Sequence, residues 1–183
     1  MRNKASRRLI IDADVAQSSG QAAAVDPTSV KCRQFLQSAL DICHRVVLTP
    51  AILDQWKQHK SRFARAWLSS MWARKKVDRL SPSLDDRLRS AVESVGMSEK
   101  HRRVLMNDLH LVEAAIATDG IVVSRDDTAR DLFRAASATL GRLRRIVWVN
   151  PADEADPSEW LAKGATAEEG RMLGKQVANG EFC

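Results

Sequence analysis

The chain has 183 residues, a net charge of +6 and a hydrophobic fraction of 44%. This length suits one ordinary domain, and the hydrophobic fraction excludes a largely disordered chain because enough apolar surface is present to form a core. The 8 glycines and 5 prolines are too few for a collagen-like or linker-like sequence. The positive charge favours an anionic partner without identifying it.

Cysteine content and the absence of targeting patterns predict a cytoplasmic protein. The apolar run that follows the basic residues 1–8 is too short for a signal peptide, and no window approaches the roughly 18 apolar residues of a membrane helix. Three scattered cysteines fit neither a disulfide framework nor a zinc cluster, which predicts reduced thiols: Cys32, Cys43 and Cys183.

Short apolar runs alternate with helical patterns along the chain. Strands are predicted at 8–12, 46–49, 121–124 and 146–149, because runs without polar alternation are typical of strands that are covered on both faces. This alternation predicts an α/β fold with a parallel sheet sandwiched by helices. The predicted helices cover 29–44, a segment from Ala51 that continues or restarts through 62–77, 84–95, a segment from Asn107 or Asp108 to about Thr118, and 127–139.

The domain organisation follows from a change in composition after the last strand. Residues 1–150 are predicted to form the α/β domain, and residues 151–183 a polar C-terminal extension on its surface. Trp160 and Leu161 are the one apolar pair that could anchor this extension.

Acidic residues stand beyond the predicted strand ends, where open α/β sheets place their ligands. Carboxylates that converge raise each other's pKa unless a cation intervenes, and an all-oxygen set without His or Cys suits Mg²⁺ or Mn²⁺. Any one of these aspartates is equally typical of a turn or a helix N-cap, so the prediction depends on their joint placement. The residues are Asp12, Asp14, Asp54, Asp108, Asp126 and Asp127.

Three segments resemble the motifs of PIN domains. The opening LIIDADV resembles the first motif, a hydrophobic strand that ends in Asp, and VVLTPAILDQW resembles the second, a strand and helix start with an acidic residue. The most specific match is NDLHLVEAAIATDGIVVSRDD, which resembles the D-x-x-x-x-x-A stretch followed by an apolar strand and (T/S)-x-D. The resemblance covers about residues 8–149.

PIN domains are metal-dependent ribonucleases, so the resemblance implies an endoribonuclease that uses Mg²⁺ or Mn²⁺. Because the family includes the VapC-type toxins, it also implies an antitoxin protein as a partner. Two positions depart from the family: Asp54 stands where Glu is usual, and Asp14 where a hydroxyl or amide is usual. The resemblance implies Asp12, Asp54, Asp108 and Asp126 as catalytic metal ligands, with Asp127 assisting.

Basic and aromatic residues suggest an RNA-contacting face. The segment 57–79 carries eight cations and a single acid, which is typical either of a phosphate-binding face or of a solvated helix. Trp67 and Trp72 are predicted to lie in the core or in a subunit interface, which is compatible with a homodimer, rather than to stack on bases. The candidate RNA contacts are Arg62, Arg65, Lys75 and Arg125.

Two residues near these aspartates in the sequence are less strongly indicated as functional. Ser124 is predicted either to orient an acid or to cap a helix, and His110 to be a packed or surface residue rather than a general acid.

Two alternatives remain open at this point. The chain can be a catalytically inactive PIN-like module that binds RNA or another protein, because the second acid is shortened to Asp54. It can also be an acidic-site phosphatase, for which the D-A-D sequence at 12–14 is the supporting feature.

Overall fold

The chain forms a parallel sheet covered by helices. A computed structural model describes residues 6–81, 85–153 and 156–174. Five strands form one sheet in the order β3-β2-β1-β4-β5, and all neighbouring pairs are parallel. The strands are β1 (Arg8–Ile11), β2 (Arg45–Leu48), β3 (Val77–Arg79), β4 (Ile121–Val123) and β5 (Val147–Val149).

Helices connect the strands and cover the sheet. A short 3₁₀ turn at Gly141–Arg145 leads into β5, and a second lies at Glu169–Arg171. In the described ranges, no helix combines the length and the apolar character that a membrane crossing requires. The α-helices are α1 (Ala13–Ser18), α2 (Pro27–Asp41), α3 (Pro50–His59), α4 (Arg62–Ala73), α5 (Asp86–Glu93), α6 (Glu99–Ile116), α7 (Asp127–Ala136) and α8 (Pro157–Ala162).

The common direction of the strands gives the sheet two different edges. Residues that precede strands lie at its amino edge, and residues that follow strands lie at its carboxyl edge. The centre of the sheet is apolar on both faces: Leu9, Ile10 and Ile11 of β1 are almost completely buried. The predicted α/β class with a parallel, helix-covered sheet is therefore confirmed.

The predicted helix at 62–77 is wrong at its C-terminal end. Helix α4 stops at Ala73 because Lys75 adopts a left-handed conformation with φ of 56°. The Lys76 N–H then donates to the Met71 carbonyl and the Lys75 N–H to the Trp72 carbonyl, which is the Schellman arrangement of a helix end. The chain continues directly into β3, a strand that the sequence pattern did not predict.

Two further helix predictions are corrected. Helix α6 begins at Glu99, not at Asn107 or Asp108, because the Ser98 side chain caps it by accepting a hydrogen bond from the His101 N–H. A short helix, α1, follows β1 where no helix was predicted. The predicted start of α3 is confirmed, since Thr49 caps the helix and Pro50 occupies its first position.

The described part of the C-terminal region packs against the domain. Helix α8 contacts α2, and the side chains of Trp160 and Leu161 are buried. The Leu161 carbonyl lies 2.9 Å from Nε2 of the buried His44. Residues 175–183 of the predicted extension, including Cys183, lie outside the described residues.

Candidate functional site

The carboxyl edge of the two central strands carries the candidate site. Asp12 follows β1, and its N–H donates to the Val123 carbonyl of β4 at 2.9 Å. Asp126 follows β4 and caps α7, because its Oδ1 accepts a hydrogen bond from the Ala129 N–H at 2.8 Å. The backbone ladder between β1 and β4 therefore brings the two aspartates to the same edge.

Ser124 joins the two strand ends through its side chain. It is completely buried, and its hydroxyl donates to Asp12 Oδ2 at 2.9 Å. The same Oγ accepts a hydrogen bond from the Asp126 N–H at 3.1 Å and lies 3.5 Å from Asp14 Oδ2. Ser124 thus orients an acid, which is the first of its two predicted roles.

The Asp14 side chain, in the first turn of α1, also lies at the carboxyl edge beside Ser124. Its Oδ2 accepts a hydrogen bond from the Arg125 N–H at 2.9 Å. Its Oδ1 is buried, and no donor among the described residues reaches it. Burial, together with the negative charge of Asp12, raises the pKa of Asp14 to about 7.

Asp108 reaches the site from the middle of α6, not from a helix start as predicted. Burial raises its pKa to about 7, and the negative charges of Asp12 and Asp126 act in the same direction. Burial also raises the pKa of Asp12, although the Ser124 hydrogen bond opposes the change. We call Asp12, Asp14, Asp108 and Asp126 the acidic cluster, because the charge of Asp12 acts on Asp14 and Asp108, and the charge of Asp126 acts on Asp108.

Asp54 is not part of the acidic cluster. Its side chain is 65% exposed and pairs with Lys57, three residues along the same helix, at 2.9 Å. It is not among the charges that shift the pKa of Asp12, Asp14 or Asp108. The structure therefore does not bring the second acid of the predicted ligand set to the site.

Gln55, and not Asp54, faces the site from α3. Its Oε1 lies 3.0 Å from His110 Nε2, and His110 Nδ1 donates to the Asn107 carbonyl at 2.9 Å. Burial lowers the pKa of His110, whereas the nearby Asp12 carboxylate opposes that change. His110, on α6, is half-buried against α3, which is one of the two placements predicted for it. The sequence could have predicted the direction that Gln55 faces. It lies three residues after the buried Ile52 and therefore on the same face of the helix.

Asp127 lies beside the acidic cluster but is held by other partners. Its Oδ1 accepts a hydrogen bond from Arg130 at 2.8 Å, and both of its oxygens lie 3.2 Å from Asn150 Nδ2. Asn150 is buried and follows β5. Asp127 is thus engaged in an ion pair on α7, in contrast to the unpartnered oxygen of Asp14.

Of the predicted RNA contacts, Arg125 lies beside the acidic cluster, whereas the other three lie along and just beyond α4. The Arg125 side chain is half-buried and donates to the Ser18 hydroxyl, so it is turned towards the end of α1. Arg62 and Arg65 are exposed in the first turn of α4. Lys75 is exposed at the opposite, amino edge of the sheet, two residues before β3 begins.

The residue types of the acidic cluster suit a hard divalent cation. All four groups are carboxylates, which suit Mg²⁺ or Mn²⁺, and the buried Asp14 Oδ1 has no hydrogen-bond partner among the described residues. Within the described ranges, no group of three or more His, Cys, Asp or Glu side chains stands in an arrangement that could hold a metal ion. No protein-family model and no curated protein sequence matches the chain.

Proposed function

We propose that the protein is a PIN-like, metal-dependent endoribonuclease that cleaves RNA phosphodiesters with Mg²⁺ or Mn²⁺. The observation that carries the proposal is the acidic cluster at the carboxyl edge, in which two carboxyl groups have pKa values raised to about 7. Desolvating several like charges together opposes folding, so an arrangement of this kind is typical of a site that binds a cation.

In this proposal Asp14 provides the charge that Asp54 does not bring to the site. Asp14 stands where the family usually has a hydroxyl or amide, and it presents a buried, unpartnered carboxylate oxygen. The ligand set is therefore Asp12, Asp14, Asp108 and Asp126. When bound, the cation offsets negative charge on the phosphodiester and provides an activated water.

The surrounding residues hold these carboxylates in place. The Ser124 hydroxyl fixes Asp12 Oδ2, and the Arg125 N–H fixes Asp14 Oδ2. In Asp14 the second oxygen, Oδ1, has no hydrogen-bond partner among the described residues and is available to a cation. Such supporting hydrogen bonds orient metal ligands and make their binding stronger.

The decisive experiment is cleavage of a labelled single-stranded RNA in Mn²⁺, Mg²⁺ or EDTA. We expect metal-dependent cleavage that falls at least a hundredfold in Asp126→Asn. A matched control is Asp86→Asn, which removes an exposed carboxylate in the first turn of α5. Equal cleavage by wild type and Asp126→Asn would contradict the proposal, as would undiminished cleavage in EDTA.

A second candidate function is a catalytically inactive PIN-like module that binds RNA or another protein. The observation in its favour is the exposed Asp54, which pairs with Lys57 instead of entering the acidic cluster. This candidate predicts salt-sensitive RNA binding without cleavage and without Mn²⁺ binding in calorimetry. Detection of Mn²⁺-dependent cleavage excludes it.

Three further features are proposed from the resemblance to PIN domains and from composition. They are a toxin role with an antitoxin partner, a homodimer and a cytoplasmic location. The same applies to residues 151–183 as a polar surface extension. Co-expression of the chain with a neighbouring open reading frame, followed by growth measurement, tests the toxin role.

A further inference from the structure

Helix α4 presents an exposed face that no other element of the described residues covers. Its outward residues recur at intervals of three and four positions, which places them along one side of the helix. All of them are exposed. The side chains in the middle of the row are small, so they project little from the helix. We call this row the α4 stripe: Arg62, Arg65, Ala66, Ser69, Trp72 and Ala73.

The charges along the α4 stripe are all positive. Arg62 and Arg65 stand at its beginning, and Lys75 and Arg79 stand just beyond its end. No carboxylate among the described residues pairs with any of these four side chains. Neighbouring Arg74, by contrast, lies 3.6 Å from Asp41. The stripe and the two basic residues beyond its end therefore offer four cations to an anionic partner.

Trp72 gives the stripe an aromatic surface. It is 38% exposed, whereas Trp56, Trp67, Trp148 and Trp160 are each exposed by 3% or less. The Arg79 guanidinium lies over its ring, 5.1 Å from the ring centroid. Indole rings and guanidinium planes are the groups on which proteins stack unpaired bases.

The stripe begins near the end of α1. The Ser61 N–H donates to the Ala16 carbonyl and the Phe63 N–H to the Gly20 carbonyl, both at 3.2 Å. Asp12 occupies the position immediately before α1. From Arg62 the stripe runs for about 15 Å, at 1.5 Å per residue, to Trp72 near the amino edge of the sheet.

We propose that the α4 stripe, together with Lys75 and Arg79, binds single-stranded RNA, with a base stacked on Trp72 and phosphates along the arginines. The proposal rests on the proposed function, because it describes where the RNA substrate lies outside the acidic cluster. A single strand fits better than a duplex, since only unpaired bases are free to stack on an indole ring. The charge of the stripe alone would also attract an acidic protein. Unchanged RNA binding in the stripe variants would favour that partner.

The test is binding of a fluorescent single-stranded RNA in EDTA, where metal-dependent cleavage does not interfere. We expect Trp72→Ala and Arg79→Glu each to weaken binding about tenfold, because they remove a stacked base and a phosphate contact. Lys75→Gly is the variant that separates binding from folding, since glycine tolerates the positive φ at this position. It should weaken binding and lower the slope of log affinity against log salt by about 0.7 without loss of stability.

Two controls define the outcome. Lys100→Glu makes the same kind of charge change on the exposed first turn of α6 and should bind like wild type. RNA should also quench tryptophan fluorescence in wild type but much less in Trp72→Phe, because the other four indoles are buried. Unchanged RNA affinity in all stripe variants, or equal affinity for a duplex of the same sequence, would overturn the proposal.

Failure of this proposal is distinguishable from failure of the proposed function. Asp126→Asn should abolish cleavage yet bind RNA in EDTA as wild type does. If the stripe variants cleave and bind RNA normally, the ribonuclease function stands and the stripe belongs to another partner. If binding is lost in the stripe variants but no protein cleaves RNA, the stripe stands and the catalytic proposal falls.

Discussion

The Ser124 hydroxyl donates to Asp12 Oδ2 at 2.9 Å, although the two residues are 112 positions apart in the chain. Ser124 follows β4 and Asp12 follows β1, so the hydrogen bond depends on the pairing of these two central strands. Because the serine is completely buried, water cannot replace its bond to the carboxylate. The position and the protonation of Asp12 are therefore tied to correct formation of the sheet.

Ser124→Ala tests this relationship. The lost hydrogen bond stabilises the ionised carboxylate, so the variant should raise the pKa of Asp12 further. We expect RNA cleavage and Mn²⁺ affinity to fall by about tenfold, as is usual when a group that orients a metal ligand is removed. Ser124→Thr keeps the hydroxyl and should remain close to wild type. A Mn²⁺ titration in which serine, threonine and alanine behave alike would disprove the orienting role.

The raised pKa of Asp108 predicts how the stability of the metal-free protein depends on pH. Its pKa is about 7 in the folded protein and 3.8 ordinarily, so between these values the folded protein holds a proton that the unfolded chain releases. The free energy of unfolding therefore falls as the pH rises from about 4 to 7. In Asp108→Asn the fall between pH 5 and pH 8 should be smaller by roughly 2 kcal/mol, after allowance for partial exposure.

Urea unfolding in EDTA at the two pH values measures this difference. Asp86→Asn is the control, because it removes an exposed carboxylate on α5. A parallel loss of stability in wild type and Asp108→Asn would mean that Asp108 is ionised in the folded protein at pH 5. Saturating Mg²⁺ should stabilise wild type more at pH 8 than at pH 5, because the cation binds the ionised carboxylates.

The resemblance and the structure place Asp54 differently. The resemblance implies that Asp54 is a metal ligand, whereas the structure shows it exposed and paired with Lys57. We expect Asp54→Asn to retain cleavage within about twofold, because an exposed ion pair contributes little. Asp14→Asn should lose cleavage by at least about tenfold. A large loss in Asp54→Asn with little change in Asp14→Asn would restore the ligand set of the family.

The fold was predictable wherever strands are buried on both faces. The four apolar runs overlap β1, β2, β4 and β5, because strands of a parallel sheet that is covered on both faces need apolar residues on both sides. β3 is different, because none of its three residues is fully buried and two of them are Asp78 and Arg79. The helix before it ends at a lysine in a left-handed conformation, and lysine gives no sequence signal for such a turn.

The acidic cluster was predictable in part, for a topological reason. Asp12 directly follows β1 and Asp126 lies three residues after β4, so the strand prediction was sufficient to place them at one edge. The predicted helix start at Asp108 was wrong, yet the residue reaches the site from within α6. Whether Asp54 or Gln55 faces the site depends on the rotation of α3, which is set by the burial of Ile52 and Trp56.

A buried ion pair behind the site provides a further prediction about stability. Arg89 on α5 donates to Glu113 Oε2 at 2.8 Å, and the Glu113 side chain is only 5% exposed. Glu113 Oε1 and Arg89 Nε are also buried, and neither has a hydrogen-bond partner in the described part of the chain. Arg89→Met should therefore lower the free energy of unfolding by about 3 kcal/mol, because it leaves a buried carboxylate without its counter-charge.

Replacing both partners should reverse most of this loss. Arg89→Met combined with Glu113→Leu removes the charge together with its desolvation cost, so we expect a stability within about 1 kcal/mol of wild type. The matched control is Arg103→Met, which breaks an exposed pair with Glu99 on the same helix as Glu113 and should cost less than about 0.5 kcal/mol. Urea denaturation of the four proteins measures these values. If the double variant is no more stable than Arg89→Met, the loss comes from the packing of the arginine side chain and not from the unpaired charge.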